Sequence, residues 1–197
     1  MICRNSRTPD ERKGDLAAQT AAIKVGEQRM REVTERYGLA ETLEHMSALL
    51  DYSERVTRRA IAKIPDGRYE ETDYMDDDGL SQELVPIMVA ITVAGEEMTI
   101  DFTGTSPQRP GCINAPVAVT SSACLYVVRC LLDEQAPANQ GCFRPLNIIT
   151  PIGTLVNPEP QRGVAAGNVE TSQRITDVLF GARSEERRVG KECRSRW

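Results

Sequence analysis

The sequence has little of what builds a metal centre or a membrane span. It contains one histidine, His45, and six cysteines without a Cys-x-x-Cys pair, so a zinc site of cysteine and histidine is not expected. Its longest apolar run, Val85–Ala94, is far below the roughly 18 residues that a membrane-spanning helix needs. The amino terminus also lacks the apolar stretch of a secretory signal. We therefore expect a cytoplasmic protein with free, mostly buried thiols and no membrane contact.

The motifs of several enzyme classes are absent as well. There is no Gly-x-Ser-x-Gly elbow, no phosphate loop with Gly-Lys-Ser or Gly-Lys-Thr, and no Gly-x-Gly-x-x-Gly. A Ser-His-Asp triad would have to use His45, which a helical pattern places away from the loops. Cys112 and Cys142 lack an evident base, which favours incidental thiols over a nucleophile.

The composition is that of a globular protein. The chain has 197 residues, of which 40% are apolar and 27% charged, enough for one medium domain or two small ones. The formal net charge of −5 includes a terminal segment with a different character.

This terminal segment, Arg183–Trp197, has no helical or strand periodicity and contains the only tryptophan. It resembles the translation of a common short-read sequencing adapter, so we expect residues 183–197 to be non-native and native coding to stop at about Ala182. Without its six basic and three acidic residues, the chain keeps 18 Lys and Arg against 26 Asp and Glu, a net charge of −8. This acidic balance argues against a nucleic-acid partner.

Two helices are predicted at the start of the chain. Asp15 can cap a helix over Leu16–Tyr37, whose apolar residues recur every seven positions, and Gly38 can stop it. An apolar stripe with a 3.6-residue period then runs from Leu39 to Ile64. Because the link at Gly38 is short, we predict an antiparallel helical hairpin over about residues 15–64.

The periodicity then changes from 3.6 to two. Apolar residues alternate through Val85–Ala94, and Met98–Phe102 shares the pattern after a Gly95 turn, which predicts an antiparallel β-hairpin. Tyr69–Met75 can add a strand beside it. The acidic group Asp76–Gly79 lacks EF-hand spacing, so a solvated turn is expected rather than a cation loop.

The rest of the chain mixes helices and strands. The sequence predicts a helix within Val117–Leu132 that begins near Thr120 or Ser121, a strand over Leu146–Thr150, and a helix over Val169–Ala182. The predicted fold class is therefore α+β (mixed α/β), with the mixed part at about residues 68–182 of a domain that spans 1–182.

The most suggestive stretch for chemistry is the start of the last predicted helix. Asn168 suits an N-cap, Glu170 lies in the first turn, and Thr171 and Ser172 offer hydroxyl groups there. Backbone N–H groups at such an end can hold a carboxylate, a phosphate or an oxyanion. An ordinary capped helix would have the same sequence.

Polar residues in irregular segments are the other candidates. We expect three loops to converge at the strand ends: Thr103–Pro116, Pro137–Pro145 and Gly163–Asn168. Side chains such as Asp101, Asn114 and Arg144 would then point into a shared cleft.

Several of these strings, in order, resemble one known family. They are Asn5-Ser-Arg-Thr-Pro-Asp10, Gly14-Asp-Leu16, Leu50-Asp-Tyr-Ser-Glu54, Asp101-Phe-Thr-Gly104, Asn114-Ala-Pro116, Gly141-Cys-Phe-Arg-Pro145 and Gly167-Asn-Val-Glu-Thr-Ser172. The family they resemble is hydantoinase B/oxoprolinase, and the likeness covers Asn5–Ala182.

The resemblance implies a fragment of a larger protein or domain of the hydantoinase B type. Such proteins work with a hydantoinase A-type partner, which binds ATP and Mg, to open a cyclic amide such as 5-oxoproline or a hydantoin. The alternatives are a fragment of a related acetone- or acetophenone-type carboxylase, whose metal segment would lie upstream of Met1, and a non-catalytic assembly module. In each case the chain by itself is expected to be inactive.

The chemistry that the resemblance implies assigns roles to the candidate residues. Amide activation needs donors aimed at developing negative charge and a base that directs water. The predicted donors and substrate-binding residues are Asn114, Arg144, Asn168, Thr171 and Ser172. The predicted acidic catalytic residues are Asp101 and Glu170, and no metal ligand is predicted.

Overall fold

The computed structural model describes Cys3, residues 8–132 and residues 136–184. The chain divides into two units, Met1–Leu49 and Leu50–Trp197. Predicted segments beyond residue 184, including nearly all of the proposed non-native tail, lie outside the described residues.

The first unit is helical. Helix α1 spans Pro9–Tyr37, and helix α2 begins at Leu39 and ends at Ile61, within the second unit. The predicted cap at Asp15 is wrong, because α1 begins at Pro9, where the fixed φ of proline suits the first helical position. Gly38 ends α1 as predicted, with φ 84°, a conformation that glycine adopts without a steric cost.

The heptad stripe of α1 lies at the surface. Helix α1 buries no residue, and Ile23 at its middle is 72% exposed. The same exposure extends to the other apolar residues of the stripe, Leu16, Met30, Val33 and Tyr37. Two consecutive helices joined at Gly38 are therefore present, but the stripe adds nothing to a buried core.

The second unit is built on a four-stranded sheet. Its strands are β1 (Gly67–Met75), β2 (Val85–Ala94), β3 (Glu97–Asp101) and β4 (Leu146–Ile149). They lie in the order β1-β2-β3-β4; the first three are antiparallel to their neighbours and β4 is parallel to β3. The predicted β-hairpin and both flanking strands are confirmed.

One face of this sheet carries the core. The alternation in β2 buries Val85, Ile87, Val89, Ile91 and Val93, which pack with residues of helices α3 (Val117–Arg129) and α4 (Ser172–Ser184). The opposite face of β2 is less buried, with Met88 39% exposed. The α+β class is thus confirmed, with both of these helices on one face.

Both of these helices begin differently from the prediction. Helix α3 begins at Val117, directly after Pro116, and Thr120 instead donates a buried 2.8 Å hydrogen bond to the Val156 carbonyl. One turn of π-helix, Gly167–Thr171, precedes α4, so Asn168 lies inside a helical turn and does not cap it. Turns of this kind are frequent at functional sites.

The acidic turn after β1 is not simply solvated. Asp78 is 3% exposed and accepts hydrogen bonds from the N–H groups of Leu80 at 2.9 Å and Ser81 at 2.7 Å. Arg109 Nε lies 3.0 Å from the other carboxylate oxygen. These donors lower the pKa of Asp78 to about 2, with the backbone N–H groups contributing most. The prediction of a solvated turn is therefore wrong for this residue.

Candidate functional site

Two of the three loops that were expected to converge do meet. The side chain of Asn114, in the loop Thr103–Pro116, donates a 2.8 Å hydrogen bond to the carbonyl of Gly163. The Ala166 N–H donates to the Cys112 carbonyl at 2.9 Å. These contacts hold the segment before α4 against the segment before α3.

Asn114 occupies the centre of this junction and is fully buried. Its oxygen accepts from the Arg109 N–H at 2.7 Å, and its nitrogen also donates to the Arg109 carbonyl at 2.9 Å and the Gly111 carbonyl at 3.0 Å. The hydrogen bonds of the Asn114 amide are thus directed at the backbone of the two loops. Its geometry is that of a positioning residue.

Thr171 is buried in the same region. Its hydroxyl donates to the Ile113 carbonyl and lies against the sulfur of Met75. Like Asn114, it was predicted to contact a substrate, and like Asn114 it bonds to the protein interior and lies behind the surface.

The third loop, Pro137–Pro145, lies elsewhere, and the expectation that it joins the other two is wrong. Asn139 donates to the Ser53 hydroxyl at 2.9 Å, and that hydroxyl donates to the Pro137 carbonyl at 3.3 Å. Because Ser53 belongs to α2, these bonds hold the loop on α2.

Arg144 follows this loop to α2. Its Nη1 donates to Asp51 at 2.7 Å and to Glu54 at 2.9 Å, and Glu54 also accepts from Arg58 Nε at 2.9 Å. The hydrogen bonds from Arg144 and then Arg58 lower the pKa of Glu54. Two carboxylates therefore already neutralise the Arg144 guanidinium, and the expected shared cleft with Asp101 and Asn114 is not formed.

Asp101 lies on the sheet face opposite the helices. It pairs with Ala90 on β2 and Ile149 on β4, out of phase with the core residue Ile100, and its carboxylate accepts from the Thr103 N–H at 2.8 Å. Since successive side chains of a strand alternate between faces, Asp101 and α4 are on different sides of the sheet.

The remaining predicted residues, Asn168, Glu170 and Ser172, are near a groove between α3 and α4. The groove has a volume of about 450 Å³, within the range of roughly 300–1,000 Å³ that is usual for small-molecule sites. It is lined by Ala118, Val119, Ser122, Ala123, Asn168, Ser172, Gln173 and Thr176. We call it the α3–α4 groove.

The groove is polar without being charged. Ser122 and Thr176 donate to the carbonyls one turn back, at 2.7 and 2.9 Å, and their oxygens remain acceptors. The side chains of Asn168, Ser172 and Gln173 make no hydrogen bond to another described residue. Alanine and valine side chains supply the apolar part of the lining.

The backbone at the start of the π-helical turn is less open than predicted. The N–H groups of Val169 and Glu170 both donate to the Ala166 carbonyl, at 3.1 and 2.8 Å, and the Gly167 N–H donates to the Val164 carbonyl at 3.1 Å. These three groups are occupied, so they cannot serve as the predicted oxyanion donors. Side-chain groups are left for that role.

Sequence reasoning missed three members of the lining, namely Ser122, Gln173 and Thr176. A signal for Thr176 was present, because Asn168, Ser172 and Thr176 recur every four residues and so share one helical face. Ser122 comes from another helix, and no local pattern connects it to the motif.

The described residues hold no group of three or more His, Cys, Asp or Glu that could bind a metal ion. No helix among them is long and apolar enough to span a membrane. Of the cysteines in this part of the chain, Cys124 and Cys142 are buried, while Cys112 and Cys130 are exposed.

The fold and the motif around the α3–α4 groove are those of a family of amidohydrolases and carboxylases. The family model for hydantoinase B/oxoprolinase matches residues 1–195, and the chain belongs to this family. The resemblance seen in the sequence is confirmed. The match extends into the terminal segment, whose non-native origin stays a prediction.

Relatives of known name are several times longer than this chain. The 5-oxoprolinase of Saccharomyces cerevisiae is 40% identical over 179 residues, which cover 90% of this chain and 14% of that protein. A B-type D-/L-hydantoinase component, so named by similarity, from a Pseudomonas species is 39% identical, covering 90% of this chain and 32% of that protein. The chain therefore spans between 14% and 32% of the length of these two relatives.

Two solved structures share the fold. The ATP-dependent caprolactamase of Pseudomonas jessenii superposes with a TM-score of 0.77 and 26% identity, over 92% of this chain and 31% of that one. A nucleotide-free acetone carboxylase gives a TM-score of 0.68 over 79% of this chain and 22% of that one. Its identity of 16% shows the fold alone.

Proposed function

We propose that the full-length protein is an ATP-dependent hydrolase that opens a cyclic amide, and that this chain supplies part of its substrate cleft. The observation that carries the proposal is the similarity to the caprolactamase, with a TM-score of 0.77 over 92% of the chain. The 5-oxoprolinase and hydantoinase names of its relatives agree with this class of reaction.

The α3–α4 groove is our candidate for the part of the cleft that holds the amide. Ring opening breaks the amide C–N bond, while water supplies the oxygen of the new carboxylate and the protons of the new amine. Asn168 and Ser172 can donate hydrogen bonds to the amide oxygen as it gains negative charge. Glu170, exposed in the same π-helical turn, is the acidic group best placed to direct water.

Asp101 is a weaker candidate for that role. It lies on the opposite face of the sheet, so a substrate in the α3–α4 groove would not reach it. We therefore assign the acidic function at this groove to Glu170 and leave Asp101 as a separate proposal for the uncovered face.

The described residues around the groove do not fit a nucleotide. A triphosphate calls for cationic side chains or open backbone N–H groups, and the groove lining has no charged residue. We therefore assign ATP and Mg to a hydantoinase A-type partner, consistent with the absence of a Gly-Lys-Ser or Gly-Lys-Thr loop. We place the assembled enzyme in the cytoplasm.

A carboxylase is the second candidate, because the acetone carboxylase shares this fold. Purified full-length protein with its partner separates the two. We expect ADP and a new primary amine to form from a cyclic amide without added bicarbonate. Bicarbonate-dependent consumption of a ketone, with no amine formed from any lactam, would overturn the proposal.

The role of the groove is tested in the same assay. Asn168→Ala removes one hydrogen bond to the reacting amide, and we expect kcat/KM to fall about tenfold, the effect of about 1.4 kcal/mol. Asn147→Ala, an exposed change on β4, is the matched control and should leave kcat/KM unchanged. Equal rates for Asn168→Ala and the unmodified enzyme would remove the groove from the reaction.

A further inference from the structure

The α3–α4 groove carries a consequence for which ring it can accept. All eight lining residues are uncharged, and the polar ones are amides and hydroxyls. We infer that the groove selects cyclic amides that carry no carboxylate on the ring. This inference rests on the proposed function and names the substrate class of the same site.

A ring carboxylate would lack a partner in the groove. Removing a carboxylate from water is costly unless a cation or several N–H donors replace the lost hydration. The N–H groups of Val169 and Glu170 already bond to the Ala166 carbonyl. Glu170 itself is exposed in the same turn and would repel a second carboxylate.

The cation next to the lining in sequence is not free to help. Arg174 follows Gln173, but its Nη1 lies 2.8 Å from Asp73 of β1 and 3.8 Å from Asp177. A substrate carboxylate would have to compete with both of these residues for the guanidinium. The charges near the groove therefore favour a neutral ligand.

A neutral lactam would find suitable partners. Its N–H needs one acceptor and its carbonyl needs donors, and the side chains of Asn168, Gln173 and Ser172 supply both. The ring methylenes can lie on the Ala118, Val119 and Ala123 side of the groove, where burial of apolar surface is favourable.

Two five-membered lactams form a matched pair for the test. 5-Oxoproline and 2-pyrrolidinone have the same ring and differ in one carboxylate. For the full-length enzyme with its partner, we expect the KM for 2-pyrrolidinone to be at least tenfold lower than the KM for 5-oxoproline.

A cation placed in the groove should reduce this preference. We expect Gln173→Lys to lower the KM for 5-oxoproline about tenfold and to change the KM for 2-pyrrolidinone less than twofold. Ser122→Lys, which adds the charge from α3, should act in the same direction and guards against a folding defect of the first variant. Asn147→Lys adds the same charge on the far face of the sheet, where salt screens it, and should change neither KM.

Binding without turnover separates this inference from the proposed function. If neither lactam is opened, the proposed function fails, and equilibrium dialysis of both labelled lactams against the assembled protein tests the groove alone. Tighter binding of 2-pyrrolidinone, reversed in part by Gln173→Lys, supports the inference. Tighter binding of 5-oxoproline, binding of neither lactam, or a preference that both lysine variants leave unchanged overturns it.

Discussion

The side-chain amide of Asn114 donates a hydrogen bond of 2.8 Å to the carbonyl of Gly163, a residue 49 positions further along the chain. Through this contact one buried side chain connects the segment that leads into α3 with the segment that leads into α4. The α3–α4 groove lies between the first turns of these helices. Its width therefore depends on a residue that does not line it.

Removing this amide should destabilise the protein. Asn114→Ala leaves the Arg109 N–H and three carbonyls without their partner in a region closed to water. We expect the free energy of unfolding to fall by about 3 kcal/mol, since each unsatisfied buried group costs roughly 1–3 kcal/mol. Urea denaturation of the full-length protein measures this change. Asn147→Ala, an exposed change of the same type, should stay within about 0.5 kcal/mol; similar losses for both variants would contradict the assignment.

Gly167 gives a second test of the same junction. A Cβ atom at this position would lie 2.1 Å from the carbonyl oxygen of Asn114, so Gly167→Ala must push the π-helical turn away from the neighbouring loop. We expect a loss of about 1–3 kcal/mol in the free energy of unfolding, as for other overpacked sites, together with a higher KM.

Gly26→Ala is the matched control for this substitution. A Cβ atom at Gly26 in α1 meets nothing within 4 Å. The helix propensity of alanine should then raise stability by about 1 kcal/mol. If Gly167→Ala were as stable as Gly26→Ala by urea denaturation, the close approach to Asn114 would not matter.

The sheet could be predicted because its information is local. The alternation from Val85 to Val93 fixes which residues face the core, and Gly95 supplies the turn that brings β3 back beside β2. The same alternation places Asp101 on the outer face, and sequence reasoning did not use it in that way.

The candidate site could be predicted only in part, because its geometry depends on distant partners. The motif identifies Asn168 and Ser172, which do line the groove. The burial of Asp78 depends on Arg109, 31 residues away, and Arg144 is held by two carboxylates of α2. No periodicity within either segment contains that information, so both residues were placed in surroundings that they do not have.

The cysteines should differ sharply in reactivity. Burial raises the pKa of the Cys124 thiol to about 12, because the protein interior disfavours the thiolate. Cys112 is exposed. We expect iodoacetamide at pH 8 to modify Cys112 in the native protein and Cys124 only after denaturant is added, as read by peptide mass spectrometry. Equal labelling of the two in native buffer would show that α3 does not protect its thiol.

The ion pair of Asp78 and Arg109 predicts a dependence of stability on acid. The folded pKa of Asp78 is about 2, below the ordinary value of 3.8, so folding favours the charged carboxylate. A group with a lowered folded pKa stabilises the protein above its unfolded pKa, and the contribution disappears as the pH falls towards the folded value. We therefore expect urea midpoints to decrease between about pH 4 and pH 2 in part because Asp78 becomes protonated.

Asp78→Asn isolates this contribution. The amide keeps an oxygen for the Leu80 and Ser81 N–H groups but loses the charge that faces Arg109, so stability at pH 7 should fall while its decrease from pH 4 to pH 2 becomes shallower. Asp76→Asn, an exposed change in the same turn, is the control and should keep the acid dependence of the unmodified protein. Parallel curves for Asp78→Asn and the unmodified protein would mean that Asp78 titrates alike in the folded and unfolded states, and the contact with Arg109 would then have no thermodynamic effect.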